Sequence, residues 1–142
     1  MANEVAGITA GIKAKIEGIT GLRCYQYSEL PVTEFPCVLV RPEAGPKRLT
    51  IGGNGFEARF RLTLYIQIAN SKDAWTEVEK YLEQVGTYSV IAALEADQTL
   101  GSTRADYVFV DAAEQVENKT LDDHVNAYPG AEWSVVVGKS VA

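Results

Sequence analysis

The amino-acid sequence predicts an α+β domain, with two or three helices packed on one face of a mainly antiparallel β-sheet. Residues 56–68 alternate apolar and polar side chains, the period of a strand with one buried face. Residues 4–19 and 71–86 instead repeat apolar residues at helical spacing. The 142 residues fit one domain, so we expect a single unit over residues 1–142.

The first helix is predicted over residues 4–19, and Gly21 ends it. Its apolar residues form one aliphatic stripe: Val5, Ile8, Ile12, Ile16 and Ile19. Two short strands should follow, over residues 22–27 and 37–41. The second is continuously apolar between Pro36 and Pro42, which predicts a strand buried on both faces and placed centrally in the sheet.

Residues 43–55 read as a long turn-rich connection, because they contain Pro46 and a glycine cluster at residues 52–55 that suits a tight hairpin turn. The long alternating strand comes next.

Ser71 should then cap a second helix that ends near Gly86. The apolar face of this helix is formed by Trp75, Val78, Leu82 and Val85.

A short third helix is predicted over residues 89–96, followed by strands over residues 107–110 and 131–141. The stretch between these strands, residues 114–126, is polar. Trp75 and Trp133 are expected in the core, since large aromatic residues on amphipathic elements usually point inward.

Composition limits the functions that the chain can have. It has 13 Lys and Arg against 19 Asp and Glu, a net charge of −6, which argues against a broad phosphate-binding surface but leaves room for a local basic patch. No apolar stretch is long enough for a membrane span, and the N-terminus lacks the pattern of a signal peptide, so we expect a cytoplasmic location. Cys24 and Cys37 are expected as reduced, packed thiols, although paired strands could also bring them face to face.

The residues offer little catalytic chemistry. The one histidine, His124, follows Asp122 and Asp123 in a polar segment, which favours a solvated loop over a catalytic relay or a metal site. The sequence Gly138-Lys139-Ser140 lacks both the upstream glycine and the following helix of a phosphate-binding loop. We therefore predict no catalytic residues, no metal and no cofactor.

Charge is divided unevenly along the chain. Residues 38–70 carry a net charge of +3, whereas residues 95–132 carry −7. Such a domain suits head-to-tail association, the contact that closes into rings or extends into filaments, although scattered solubilising charge explains the pattern equally well. Two groups of residues are the candidate contacts. The first is Pro46, Lys47, Arg48 and Asn54 in the predicted connection, and the second is Arg59, Arg61, Tyr65 and Gln67 on the polar face of the long strand. The alternative readings are a flexible hairpin tip and an ordinary wet sheet face.

Several phrases, in their order along the chain, resemble the tail terminator, or tail-completion, proteins of long-tailed bacteriophages. Members of that family typically open with an amphipathic helix leading into a GLRVY strand, similar to Gly21-Leu22-Arg23-Cys24-Tyr25 here, and continue with a Pro-flanked apolar strand, similar to residues 35–40. Residues 81–101 look like the family's run between its second helix and the next strand. The closing Tyr128-Pro129-Gly130-Ala131-Glu132-Trp133 with residues 135–137 is similar to its final strand.

The resemblance implies a structural virion protein without catalysis. It would form a ring of identical subunits, a hexamer, at the head-proximal end of the tail tube, after assembly in the host cytoplasm. The ring would stop tube growth and present a surface to the neck or head-completion proteins, with DNA only passing through its central hole. Its partners would be further copies of the chain, the tail tube protein and a neck protein, with no membrane.

Two other classes of function remain open. Another neck or head-tail joining protein of the same particle would share the ring habit and the absence of catalysis, and its binding partner alone would separate it from a terminator. A small-ligand-binding α+β domain or enzyme would need a pocket with convergent polar groups.

Overall fold

A computed structural model describes residues 4–19, 21–26, 35–48, 56–66, 71–83, 86–96, 107–120 and 127–139. Within these ranges the chain forms three helices and five strands, which confirms the α+β class. In chain order they are helix α1 (Glu4–Glu17), strands β1 (Arg23–Gln26), β2 (Cys37–Arg48) and β3 (Phe56–Tyr65), helices α2 (Ser71–Leu82) and α3 (Val90–Glu95), and strands β4 (Tyr107–Thr120) and β5 (Ala127–Lys139).

The five described strands form one sheet in the order β1-β2-β3-β5-β4. Strands β1 and β2 run parallel, and the other three neighbouring pairs are antiparallel, so the sheet is mainly antiparallel as predicted. Strand β2 lies between β1 and β3, and all four residues of its apolar run are buried, which confirms that it is an interior strand. The middle of the sheet is β3, with β5 inserted between β3 and the edge strand β4.

One face of the sheet and the helices form the main core. Helix α1 packs against β1 and β2, α2 against β5, and α3 against β4. Four residues of the aliphatic stripe of α1, Ile8, Ile12, Ile16 and Ile19, are buried as predicted, and Trp133 on β5 is fully buried among the same residues. Trp75 is partly buried against this core. Of the described helices, none combines the length and the apolarity that crossing a bilayer requires.

Helices α2 and α3 are joined through Ser89. Its hydroxyl accepts a hydrogen bond of 3.0 Å from the amide of Ala92, as an N-cap does, and donates one to the carbonyl oxygen of Glu83. Helix α2 ends at Leu82, whereas the sequence predicted an end near Gly86. Gly86 instead lies in the turn that follows the helix, with a positive φ of 110°. Ser71 is the first residue of α2 and does not precede it as a cap.

The prediction that residues 43–55 form a connection is wrong for residues 43–48, because β2 continues to Arg48. Two prolines lie inside this strand, at positions 42 and 46. The ladder with β3 shifts register between Pro42 and Ala44 and again between Ala44 and Lys47. Irregularities of this kind interrupt the regular hydrogen bonds, so a residue without an amide proton is tolerated there.

Strands β4 and β5 are also longer than their apolar residues predicted. Strand β4 runs to Thr120, through residues 114–120 of the polar stretch, and β5 begins at Ala127 and ends at Lys139. Charged residues suit β4 because it is an edge strand. Among the described pairings, β5 contacts β3 only as far as Gly130, so Pro129 lies where β5 has β4 as its single neighbour.

Candidate interaction surface

The sheet has a second face, to which the described helices contribute no buried residue. We call it the open face. Strand register arranges its residues in rows across the sheet, because paired residues point to the same side. There are five rows. The first contains Arg23, Cys37 and Tyr65, and the second contains Tyr25, Leu39, Thr63 and Glu132. The third contains Arg41, Arg61 and Ser134, the fourth contains Arg59, Val136 and Phe109, and the fifth and last contains Glu57, Gly138 and Tyr107.

The end of the open face nearest β1 is apolar. Cys37, Leu39 and Tyr65 form a small buried cluster, against which Tyr25 and Phe35 pack. Burial in this cluster raises the pKa of Cys37 to about 12. Tyr65, a contact residue predicted from the sequence, lies in this cluster with its side chain only 5% exposed, so the alternative of an ordinary wet sheet face does not describe it. Alternation identified its face correctly, but neighbouring strands supplied apolar residues to cover it.

Arg61 lies over the middle of the open face and pairs with Glu132 of the same chain. Its Nη1 is 3.4 Å from Oε2 and 3.5 Å from Oε1 of that carboxylate. The Glu132 side chain is 10% exposed, so this ion pair compensates a nearly buried charge. The pair means that reversing Arg61 would test the fold as well as a subunit contact, because it would place two carboxylates together.

Arg41 and Arg59 have a different setting, because both are exposed. Arg41 lies directly opposite Arg61 across the β2–β3 ladder. Arg59 lies opposite Val136, whose other neighbour in the row is Phe109. Both arginines are therefore exposed on the open face, and Arg59 is a contact residue predicted from the sequence.

Two aromatic side chains on the edge strand β4 complete the surface. Phe109 is 53% exposed and Tyr107 is 36% exposed, the largest exposures of any described large hydrophobic residue. The Tyr107 hydroxyl donates a hydrogen bond of 3.0 Å to Oε2 of Glu57. Partial burial of the hydroxyl and the neighbouring Glu57 carboxylate raise the pKa of Tyr107. Its ring lies directly over Gly138, where any Cβ atom would overlap it.

The other predicted contact residues divide into two groups. Pro46, Lys47 and Arg48 belong to strand β2 and not to a loop, so the prediction of a contact loop is corrected at these positions. The register places Lys47 opposite Glu57, in the last row of the open face. Asn54 and Gln67 lie outside the described residues, as do the glycines of the predicted hairpin turn and the segment of His124.

The sequence did not single out Arg41, Tyr107 or Phe109. In β4 the four residues 107–110 are all apolar or aromatic, so no alternation of polarity tells which two face the core. Val108 and Val110 turn out to be buried, leaving the two aromatic residues outside. Arg41 follows the apolar run of β2, and its place on the open face could be predicted only if the strand was known to continue beyond it.

The described part of this surface offers guanidinium groups and exposed aromatic rings, the side chains enriched where proteins bind proteins. Among the described residues, no three His, Cys, Asp or Glu side chains are grouped to hold a metal ion. The arrangement is suited to a protein contact in which charge selects the partner and aromatic area supplies affinity. The chain matches no protein-family model, and no curated protein is significantly similar to it in sequence.

Proposed function

We propose that this protein is a structural virion protein that forms a hexameric ring at the head-proximal end of a phage tail tube. The ring ends tube polymerisation and joins the tube to the neck, and DNA passes through its central hole. The proposal takes its biological setting from the ordered sequence phrases that resemble tail terminator proteins, from residues 21–25 to residues 128–137.

The observation that supports it on the molecule itself is the open face, where Phe109 is exposed in the same row as Arg59, and Arg41 is exposed in the adjoining row. Isolated exposed apolar residues are ordinary, but two exposed aromatic rings and two exposed arginines on one sheet face, to which the described helices contribute nothing, favour a binding surface. A subunit of a ring needs such a surface, since each copy contacts two neighbours.

The charge of the chain is consistent with a channel for DNA. The net charge of −6 gives weak or repulsive contacts with phosphates, which favours release of a passing duplex. A ring whose hole was lined by the arginines of the open face would instead hold DNA. We therefore expect the acidic part of the surface, and not the open face, to line the hole.

The test is tube-length control. Tail tube protein from the same phage is polymerised with and without the purified chain, and tube lengths and end structures are measured by electron microscopy. We expect shorter tubes with a ring-shaped density at one end. A Phe109→Ser variant serves as the matched control, because Phe109 is largely exposed and its loss should spare the fold while weakening the contact.

The same mixtures discriminate the other classes. A ring that ignores tubes but binds the purified neck complex identifies a different neck or head-tail joining protein and overturns the terminator assignment. A chain that binds neither, but is stabilised against heat by a small ligand, is a small-ligand-binding domain. Unchanged tube lengths with no end density at saturating protein contradict the proposal.

A further inference from the structure

We propose that the open face of one copy docks on the acidic outer stripe of helix α2 of the next copy. The open face contributes Arg41, Arg59 and Phe109, and the stripe contributes Asp73, Glu79 and Glu83. This inference deepens the proposed function and rests on it, because it names the two surfaces that join neighbouring subunits of the ring.

The first step is the charge of the open face. Its described side chains include four arginines, at positions 23, 41, 59 and 61, against the glutamates at 57 and 132, a net charge of +2. By register, Lys47, Glu114, Glu117 and Lys119 also hold positions on this face, and their charges cancel. Since the whole chain carries −6, the remainder carries −8. The open face is therefore a positive patch on a strongly negative molecule.

The second step is the charge of α2. This helix buries Val78 and Tyr81 against the core, so the opposite side of the helix faces outward. Its exposed residues, with the one that follows the helix, are Lys72, Asp73, Thr76, Glu79 and Glu83, a net charge of −2. The basic Lys80 is not part of this stripe, because it pairs with Glu77 at 3.0 Å and lies over the rings of Tyr81 and Tyr88.

The third step is geometry. Helix α2 packs on the core face of the sheet, so the acidic stripe and the open face lie on opposite sides of the same two-layer domain. A contact between two different surfaces is heterologous, which lets every copy use both surfaces at once. A rotation between successive copies then closes a ring. Like surfaces, in contrast, would repel each other, which disfavours a two-fold dimer through the open face.

The fourth step is affinity. Complementary charge at the rim of an interface mainly sets orientation and rate, whereas buried aromatic side chains supply most of the binding energy. Phe109 lies in the same row as Arg59, so a partner that meets the arginine also covers the ring. Thr76 and the aliphatic part of Lys72 on the stripe present a surface against which a phenyl ring packs without burying a charge.

The experiment is charge reversal on each surface, read by sedimentation velocity of the protein alone across salt concentration. Arg41→Glu with Arg59→Glu reverses the open face, and Glu79→Lys with Glu83→Lys reverses the stripe. Each double variant should weaken self-association by about tenfold or more, and Phe109→Ser should do the same without changing net charge. An equimolar mixture of the two double variants should assemble again, since both contacts are then complementary.

The matched control is Ala14→Glu with Ala96→Glu, which also adds negative charge but at two exposed positions that belong to neither surface. It should leave assembly unchanged, and this separates the contact from a general effect of net charge. Melting temperatures of all variants, measured in parallel, confirm that the fold is intact. Failure of the mixture to reassemble, or wild-type protein that stays monomeric at low salt and high concentration, overturns the inference.

The outcomes separate this inference from the proposed function. If the wild-type ring caps tubes but neither double variant changes its assembly, the inference fails while the proposed function stands. If the charge pattern governs assembly but no ring engages tubes, the inference stands and the proposed function fails. Monomeric protein that binds a labelled oligonucleotide, and loses it on Arg41→Glu, makes the open face a nucleic-acid surface and overturns the inference.

Discussion

Arg41 on β2 and Arg61 on β3 lie directly opposite each other on the open face of the sheet. Like charges in this position destabilise a strand pair. The two residues differ in how their charge is compensated, because Arg61 pairs with Glu132 whereas Arg41 is exposed and belongs to no ion pair within the described part of the chain. Among the described side chains, the positive charge of Arg41 is thus not compensated by an ion pair.

Replacing Arg41 with glutamate should therefore stabilise the monomer. Arg41→Glu converts a like-charge pair into an opposite-charge pair, and we expect the free energy of unfolding to rise by about 0.2–1 kcal/mol at low ionic strength. Salt should remove the gain by screening. Urea unfolding of dilute protein at low and high salt measures this. Arg23→Glu is the control, because its cross-strand neighbour is the uncharged Cys37. A lower unfolding free energy for Arg41→Glu at low salt would contradict the assignment.

The Arg61–Glu132 pair should be coupled. Arg61→Leu leaves a carboxylate whose side chain is 10% exposed without this cation, so we expect a loss of about 2–3 kcal/mol. The double variant Arg61→Leu, Glu132→Leu should recover most of that loss, since no charge is then left buried. A double-mutant cycle by urea denaturation gives the coupling energy. Additive effects of the two single changes would show that the two side chains do not interact.

The sequence predicted the elements whose burial follows a local period. The alternation along residues 56–68 placed Ala58, Phe60, Leu62 and Leu64 in the core, and all four are buried. The continuous apolar run at the start of β2 likewise identified a strand covered on both sides. These features depend on each strand's own residues, so no knowledge of its neighbours was needed.

Strand ends were harder to predict because they depend on the partner strand. The second half of β2 contains Pro42 and Pro46, which argue against a strand until the two register shifts opposite β3 are known. The polar residues of β4 continue as a strand because β5 offers them a ladder. Local propensity carries no information on either partner.

The candidate surface was predicted in part for the same reason. Arg59 was identified on the exposed face of β3, and it is exposed. The pairing of Arg61 and the burial of Tyr65 depend on residues distant in the chain. Glu132 lies 71 residues from Arg61, and Cys37, which packs with Tyr65, belongs to another strand. A single sequence does not reveal such pairs.

Alkaline pH should destabilise the fold through Tyr81. Burial, together with the charge of Glu77 and the proximity of Tyr88, raises the pKa of Tyr81 to about 12, against 10 in the unfolded chain. The folded state thus favours the protonated phenol, and this contribution is complete below pH 10 and is lost as pH rises towards 12. We expect a loss of about 1–2 kcal/mol across this window. Urea unfolding of the wild type and of Tyr81→Phe at pH 10 and at pH 12 measures this loss. An equal decline of the unfolding free energy in both proteins would exclude Tyr81 as the source.

The two cysteines should stay reduced and unreactive in the folded protein. Neither forms a disulfide and both are buried, and they lie on opposite faces of the sheet, because Cys24 pairs with Val38 and Cys37 with Arg23. The raised pKa of Cys37, about 12, leaves almost no thiolate at pH 8. Native protein treated with a thiol-reactive disulfide reagent should gain no mass, and urea should expose two reactive thiols. Rapid labelling of Cys37 in native protein would contradict its burial.

The contact between Tyr107 and Gly138 offers a way to change the open face without changing its charge. A Cβ at position 138 would overlap the Tyr107 ring, so Gly138→Ala should displace the ring and break its hydrogen bond to Glu57. The ring is at the surface, so we expect the free energy of unfolding to change by no more than about 1 kcal/mol. The pKa of Tyr107, followed by NMR of labelled tyrosine, should fall towards its ordinary value, since the hydrogen bond and the nearby carboxylate both help to raise it.

Glu57→Gln is the control, because it should lower the same pKa while leaving the ring over Gly138. If the pKa falls in Glu57→Gln but not in Gly138→Ala, the ring does not depend on the glycine, and the close approach of Tyr107 to β5 is refuted.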